Sequence, residues 1–389
     1  MGQDEDLLKR RNMLKVLQIH KLYYGSYYPE SGGIEKTVKD IAEGLKDKIE
    51  MEVLVCRPKG KGVTLSINGI RVTKASSLGM YTGMPVSITF PFLFALKSRK
   101  ADILHFHLPF PLGDISYLLM GARGKKVVVT YHSDIVRQKR LLKLYKPFLH
   151  QFLRRADKII VTSPYLLESS EHLAPYRDKC VVIPLSIDLN KFKPCNEDKA
   201  NYKKKNPSSN EKIVLFVGCL TYYKGLSYLV RAMQDVKAKL LIVGDGELRG
   251  QLEAQVKSLG LDDKVIFLGA VSDEKLHYYY QICDVFVLPS TERSEAFGIV
   301  QLEAMAYGKP VVNTNLPTAV PFISVHGETG LTVPPKNPDA LAQAINTILS
   351  DKQLSAKFSR NAIKRVKEKF SRDVMLEKIY QIYTELCSN

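Results

Sequence analysis

Residues 284–313 read DVFVLPSTERSEAFGIVQLEAMAYGKPVVN, and their order decides the fold. VFVLPS (285–290) is a short β-branched and aromatic run of strand length. TERSEAFG (291–298) is a polar loop, and IVQLEAMAYG (299–308) is a short helix ending near Gly308. Pro310 stands just beyond, where a helix cannot continue. KPVVN (309–313) supplies a second strand, so the stretch is one βαβ unit.

The same pattern extends in both directions. The first half offers LKVLQIH (14–20), MEVLVC (51–56), DILHFH (102–107), KKVVVTYH (125–132) and KIIVTS (158–163). The second half adds KIVLFVG (212–218), KLLIVG (239–244) and KVIFLG (264–269). These runs are continuous rather than alternating, as in strands buried on both faces. Two such series predict two doubly wound α/β domains with parallel sheets. Between them LNKFKPCNEDKANYKKKNPSSNEK (189–212) is polar, Lys-rich and interrupted by Pro194 and Pro207, and reads as linker plus exposed loop. In such domains ligands sit beyond the carboxyl ends of the strands. Two facing domains would therefore hold a substrate in the cleft between them.

The 389 residues suffice for two domains, and 45% hydrophobic with 25% charged content is that of a soluble globular protein. The longest apolar stretches are strand-length, so no transmembrane helix is expected. MGQDEDLLKRR at the N-terminus lacks the apolar core of a signal peptide, and Asp6 stands where a myristoylation signal needs Ser or Thr. The six cysteines are scattered without a C-x-x-C, which suits reduced thiols in a cytoplasm. A net charge of +17 leaves three partner classes: nucleic acid, an anionic membrane surface or a phosphorylated substrate.

Glu295 and Glu303 flank a Phe-Gly pair, and Glu303 lies inside an apolar run. A buried carboxylate is costly unless something hydrogen-bonds it. Sugar or ribose hydroxyls would do so, and so would a backbone amide in a purely structural role. GGIEKTV (32–38) brings two glycines to a helix start, where backbone can approach a ligand, yet it lacks the dinucleotide fingerprint G-x-G-x-x-G. VGCLTYYKG (217–225) places Lys224 near a strand end, either to neutralise a phosphate or as a surface lysine. VGDGE (243–247) is a similar Gly-rich strand end. His105, His107 and His132 end two strands. A histidine there can donate to a sugar hydroxyl, or be a satisfied core residue. No metal-ligand spacing occurs.

These motifs, in this order over about three-quarters of the chain, resemble the retaining glycosyltransferases of the GT-B superfamily, family 4. YHSD with His132, VGCLTYYKG, LLIVGDGEL, the Glu-x7-Glu pair and GETGLTVPP (327–335) carry the resemblance. NTNLPTAVP (313–321) and VTYHSDIVRQKRLL resemble bacterial exopolysaccharide mannosyltransferases more narrowly. The resemblance implies two Rossmann-like doubly wound domains facing across a cleft: residues 1–188 on the acceptor side, 189–370 binding a nucleotide sugar, and a C-terminal helix (371–389) crossing back to the first. It implies that Glu295 contacts the donor hexose and that Phe297, Gly298 and Ile299 lend amides to the donor. Glu303 would bind the ribose, Lys224 the diphosphate, Gly33 that diphosphate from the other domain, and His132 the transferred sugar. No cofactor and no metal are implied. Three positions depart from the family pattern: Cys219 stands where an Arg is usual, Ser186 where the interdomain motif has Gly, and Ala319 where a Gly is usual.

IVRQKRLLKLYKPFLHQFLRRADK (135–158) is strongly basic. At helical spacing Lys139, Lys143, Lys146, His150 and Arg154 share one face, while Leu141, Tyr145, Phe148 and Phe152 share the opposite one. Pro147 is expected to divide or kink the helix. Lys139, Arg140, Lys143 and Lys146 are candidates for contact with anionic lipid and a lipid diphosphate; a solvated basic face is the plain alternative. The expectation is thus a retaining, metal-independent hexosyltransferase, moving mannose from GDP-mannose onto a lipid-linked glycan. It would be cytoplasmic and peripheral to the inner face of the cell membrane, and a UDP-hexose is the other donor left open. A nucleotide-sugar-binding protein with reduced turnover is the alternative, because of Cys219. A nucleic-acid-binding protein is the third reading, disfavoured because no nucleic-acid module is recognisable.

Overall fold

The computed structural model describes residues 13–23, 33–122, 124–135, 139–192 and 211–388, with the side chains of 139–142 outside that description. Gly32 and residues 193–210 of the Lys-rich stretch are not among them. The chain divides into two units. One comprises Met1–Pro184 with Asp373–Asn389, the other Leu185–Arg372. The stretch 189–212 thus falls within the span of the second unit.

The first unit is built on strands β1 (Lys15–Ile19), β2 (Glu50–Cys56), β3 (Val63–Ile67), β4 (Ile70–Ala75), β7 (Ile103–Leu108), β8 (Lys126–Tyr131), β9 (Lys158–Val161) and β10 (Cys180–Val182). Their order across the sheet is β10-β9-β8-β7-β1-β2-β4-β3. All pair in parallel except β3, which runs antiparallel to β4 at the edge. A small hairpin, β5 (Gly79–Tyr81) with β6 (Met84–Val86), stands apart. One sheet face, with Leu17, Leu104, Phe106 and Val129, packs under helices Thr89–Ser98, Pro111–Met120 and Lys139–Arg155. The other, with Val16, Ile103 and Val128, packs under helices Gly33–Leu45 and Arg372–Ser388. The C-terminal helix brings Met375, Leu376, Ile379 and Tyr383 into that core.

The second unit carries β11 (Ile213–Val217), β12 (Lys239–Val243), β13 (Val265–Gly269), β14 (Val285–Leu288), β15 (Val311–Thr314) and β16 (Gly330–Val333). They form a fully parallel sheet in the order β13-β12-β11-β14-β15-β16. The connections reverse direction between β11 and β14, the switch point where doubly wound sheets open a crevice. At the unit boundary the two chain crossings lie side by side. Ile187 N–H donates to Phe370 O (3.0 Å), Arg372 N–H donates to Ile187 O (2.9 Å), and Arg372 pairs with Asp188 at 3.0 Å.

Helix Lys139–Arg155 contains Pro147 without being divided by it, and its buried face differs from the sequence reading at one position. Pro147 is exposed, so the hydrogen bond it cannot make is lost on the solvent side, where water serves the freed carbonyl. The buried face consists of Tyr145, Leu149, Phe152 and Leu153, whereas Phe148, expected inward, is 42% exposed. The stripe is rotated toward Leu149 because Tyr145 is tied inward by donating its hydroxyl to Asp114. Strands β3–β6, β10 and β16 were not expected. They are three to six residues long, and β3 alternates exposed polar residues instead of forming an apolar run.

Candidate functional site

The loops beyond β11 and β14 meet at the switch point of the second unit. After β11 the chain makes a one-turn 3-10 helix, Tyr222–Lys224, closed by Gly225 in the left-handed region (φ 70°). A Cβ at Gly225 would lie 2.0 Å from Pro289 O, so only glycine lets the two loops approach this closely. The approach brings Lys224 Nζ to 2.5 Å from Glu295 Oε2. Ser290 Oγ donates to the same oxygen at 3.0 Å, and Ser290 O accepts from Thr314 Oγ1 at 2.5 Å. Both charged side chains are buried. Burial acts against the Lys224 ammonium, but the charge and hydrogen bond of Glu295 outweigh it and hold the lysine above its usual range. Lys224 therefore stays charged, and the pair is buried and anchored from β15.

Phe297, Gly298 and Ile299 lead into helix Val300–Ala306 directly after Glu295, with Phe297 buried and Gly298 at φ 80°. Within the helix's first turn, Gln301 N–H donates to Gly298 O (3.0 Å) and Leu302 N–H to Ile299 O (2.9 Å), which closes the turn on the Phe297–Ile299 backbone. Glu303, one turn further, is only half-buried, and it accepts a hydrogen bond from Tyr280 at 2.9 Å. The glutamate expected to be buried is thus half-buried and has a protein donor. Burial and the Glu303 charge push the Tyr280 phenol well above its usual range, so Tyr280 stays a donor. Cys219 is exposed beside this site. Arg249, one basic residue that could stand in for the usual arginine, is engaged by Asp245 (3.2 Å) and Glu253 (2.8 Å). Ala319 sits at φ −69°, ordinary for any residue, and its N–H donates to Ala296 O at 3.0 Å. Ser186 is buried at the crossing between units.

The corresponding edge of the first unit is histidine-rich. Gly33 opens helix Gly33–Leu45, and among the described residues nothing lies within 4 Å of a Cβ placed there. Glu35, two residues on, is buried with its Oε1 3.5 Å from His20 Nε2 and 3.8 Å from Lys21 Nζ. Burial works to raise the Glu35 carboxyl, but the interactions with His20 and Lys21 win and bring it to about 2. His132 follows β8, with Nε2 3.2 Å from His107 Nδ1. His107 Nε2 is 2.9 Å from Gln18 Oε1. His105 bonds Thr130 Oγ1 (2.7 Å) and Tyr383 OH (2.5 Å). Burial lowers the pKa of His105 and of His132 to about 3 and that of His107 well below the usual value, so these rings are neutral. Asp134 accepts from Tyr131 (2.8 Å) and Ser170 (2.7 Å).

Lys143 and Lys146 project from the exposed face of helix Lys139–Arg155, while the side chains of Lys139 and Arg140 fall outside the described residues. Among the described residues no cluster of His, Cys, Asp or Glu could hold a metal ion, and no helix is long and apolar enough to cross a membrane. Sequence reasoning missed Ser290, Thr314, Tyr280 and Gln18, all of which contact or support the residues named from motifs, and the Glu35–His20 contact.

Comparison with known proteins gives the same two-part division. Residues 198–365 match the family described as Glycosyl transferases group 1, and residues 31–191 match Glycosyltransferase Family 4. The chain is 32% identical over 375 residues to the O-antigen chain mannosyltransferase C of Escherichia coli, covering 96% of this chain and 99% of that protein. It is 35% identical over 360 residues to the D-rhamnosyltransferase WbpZ of Pseudomonas aeruginosa, covering 92% of each. Among solved structures, Anabaena Alr3699/HepE in complex with UDP superposes with a TM-score of 0.76 at 21% identity, over 96% of this chain and 100% of that one.

Proposed function

Because the chain belongs to the group 1 glycosyl transferases of family 4 and has the GT-B fold, we propose that it moves a hexose from a nucleotide sugar with retention and without a metal. The proposed donor is GDP-mannose and the proposed acceptor a lipid-linked glycan. The observation that carries the reading is the buried Lys224–Glu295 pair at the switch point of the second unit. A cation and a hydroxyl acceptor held in contact match the two chemistries of a nucleotide sugar at its scissile bond. Lys224 meets the diphosphate and stabilises the charge that grows on it as the leaving group departs. Glu295 accepts from hydroxyls of the hexose, and Glu303 serves the ribose. The role we assign to His132, a residue of the first unit, is contact with the transferred sugar. The names of the two curated relatives favour mannose or a related hexose over other sugars.

The basic helix supports a membrane-side acceptor. Leu144 (74% exposed) and Phe148 are one helical turn apart, next to exposed Lys143 and Lys146. Apolar side chains flanked by lysines suit an anionic lipid interface.

The test is a thermal-shift panel of nucleotide sugars followed by nucleotide release with lipid extract. GDP-mannose should raise the melting temperature most, and a ligand at about 100 times its Kd adds roughly 2.7 kcal/mol. No shift with any nucleotide sugar would overturn the reading. A shift without release under any acceptor would leave a binding protein with lost turnover.

A further inference from the structure

The strands β1, β7 and β8 are neighbours, and on one face their residues change character along the chain direction. Val16, Ile103 and Val128 are apolar; Gln18, His105, His107, Thr130 and His132 follow them on that face. All are buried. Polar side chains on a sheet face that is otherwise core are retained only where each finds a partner. Here the partners form a directed chain. Gln18 Nε2 lies 3.4 Å from Met51 Sδ, and a thioether can only accept. That contact fixes the amide, so Gln18 presents its carbonyl oxygen to His107 Nε2.

A neutral imidazole has one N–H and one lone pair. His107 must donate from Nε2 to the Gln18 oxygen, which leaves its Nδ1 as an acceptor. His132 Nε2, 3.2 Å from that Nδ1, must then carry the hydrogen. The remaining nitrogen, His132 Nδ1, is buried and has no partner among the described residues. It is a lone pair.

We propose that Gln18 and His107 are positioning residues that lock His132 in the Nε2–H tautomer, so that Nδ1 accepts a hydrogen bond from a hydroxyl of the transferred sugar. The inference rests on the transferase reading and reverses the polarity expected of His132, which accepts from the hydroxyl instead of donating to it. An acceptor repels a phosphate oxygen and welcomes an O–H, so the lock also discriminates between the two ends of a nucleotide sugar. A ring that carried its hydrogen on Nδ1 would do the opposite. The burial that keeps all three rings neutral preserves the lock over the range in which an ordinary histidine changes charge.

The experiment is nitrogen-15 spectroscopy of the full-length protein labelled at histidine, in the absence of any ligand. His107 and His132 should both be Nε2–H. An Nδ1–H His132 in the wild-type protein would overturn the proposal. Gln18→Leu removes the acceptor while keeping the volume. It should shift the His132 hydrogen toward Nδ1 and lower kcat roughly tenfold, the worth of one misdirected hydrogen bond. Affinity for the free nucleoside diphosphate should not change, which a merely structural lesion would not spare. Gln18→Glu supplies an acceptor again and should restore the tautomer and most of the lost kcat. A His132 tautomer unaltered by Gln18→Leu would also overturn the proposal. If Gln18→Leu does not fold, the wild-type and Gln18→Glu spectra decide alone. Because the tautomer is read without substrate, the expected spectra from a protein that transfers no sugar would sink the transferase reading and keep the relay.

Discussion

Lys224 and Glu295 have side chains only 10% and 9% exposed, and each is the other's main compensation for lost hydration. Breaking such a pair leaves an unpaired buried charge, which costs about 3–5 kcal/mol. Lys224→Met should therefore lower the melting temperature of the ligand-free protein by several degrees and abolish nucleotide release. Lys224→Met with Glu295→Gln should recover most of the melting temperature, because the introduced amide oxygen can still accept from Ser290, but none of the activity. Differential scanning fluorimetry with a release assay reads both. A single variant as stable as wild type would mean that the pair is not a dry ion pair. Motif order pointed to both charged residues from the sequence. Their supports were not legible: Ser290 and Thr314 are residue types found at every loop end, and only the fold brings β15 beside β14. The His107–His132 pair had a visible trace, the two-residue spacing of His105 and His107. A histidine at a strand end is ambiguous until its neighbour across the sheet is known.

Among the elements, helix Lys139–Arg155 shows where periodicity succeeds and where it slips. Its amphipathic character was legible, and Tyr145 and Phe152 face inward as expected, but Phe148 was placed where Leu149 stands. Phe148 and Leu149 are adjacent apolar residues, and side-chain pattern alone cannot say which faces the sheet. The tie from Tyr145 to Asp114 decides it. The result is an outward pair, Leu144 and Phe148, that a solvated helix would not retain for stability. Leu144→Ser with Phe148→Ser should weaken sedimentation with anionic vesicles at both low and high salt. Lys143→Glu with Lys146→Glu should weaken it mainly at low salt, because surface charge is screened beyond about 10 Å at 0.1 M. Wild-type sedimentation by both double variants would remove the membrane reading from this helix. The βαβ units themselves were the most legible elements, since buried parallel strands spell continuous apolar runs. Edge strands such as β3 escaped because one exposed face dilutes that signal.

At the scale of the whole molecule, the first unit is discontinuous in sequence and the second is not. Removing residues 373–389 should therefore damage the unit at the opposite end of the chain. Hydrogen exchange should quicken in β1, β7 and β8, whose face is covered by Met375, Ile379 and Tyr383, and should stay slow in β11 to β16. Faster exchange confined to the second unit would contradict the assignment of the last helix to the first.

The two crossings, side by side at Ile187 and Ser371, also invert the order of manufacture. The strands of the first unit emerge from the ribosome first, yet helix Arg372–Ser388, which helps cover one face of their sheet, is made only after the whole second unit. The second unit, contiguous and already closed by its own crossing, can fold while the first still waits. The part of that sheet face that Met375, Ile379 and Tyr383 cover therefore stays bare throughout translation of the second unit, a window in which chaperones or mispairing have their best access. A premature stop anywhere in the last helix releases a chain whose finished half is the one synthesised later.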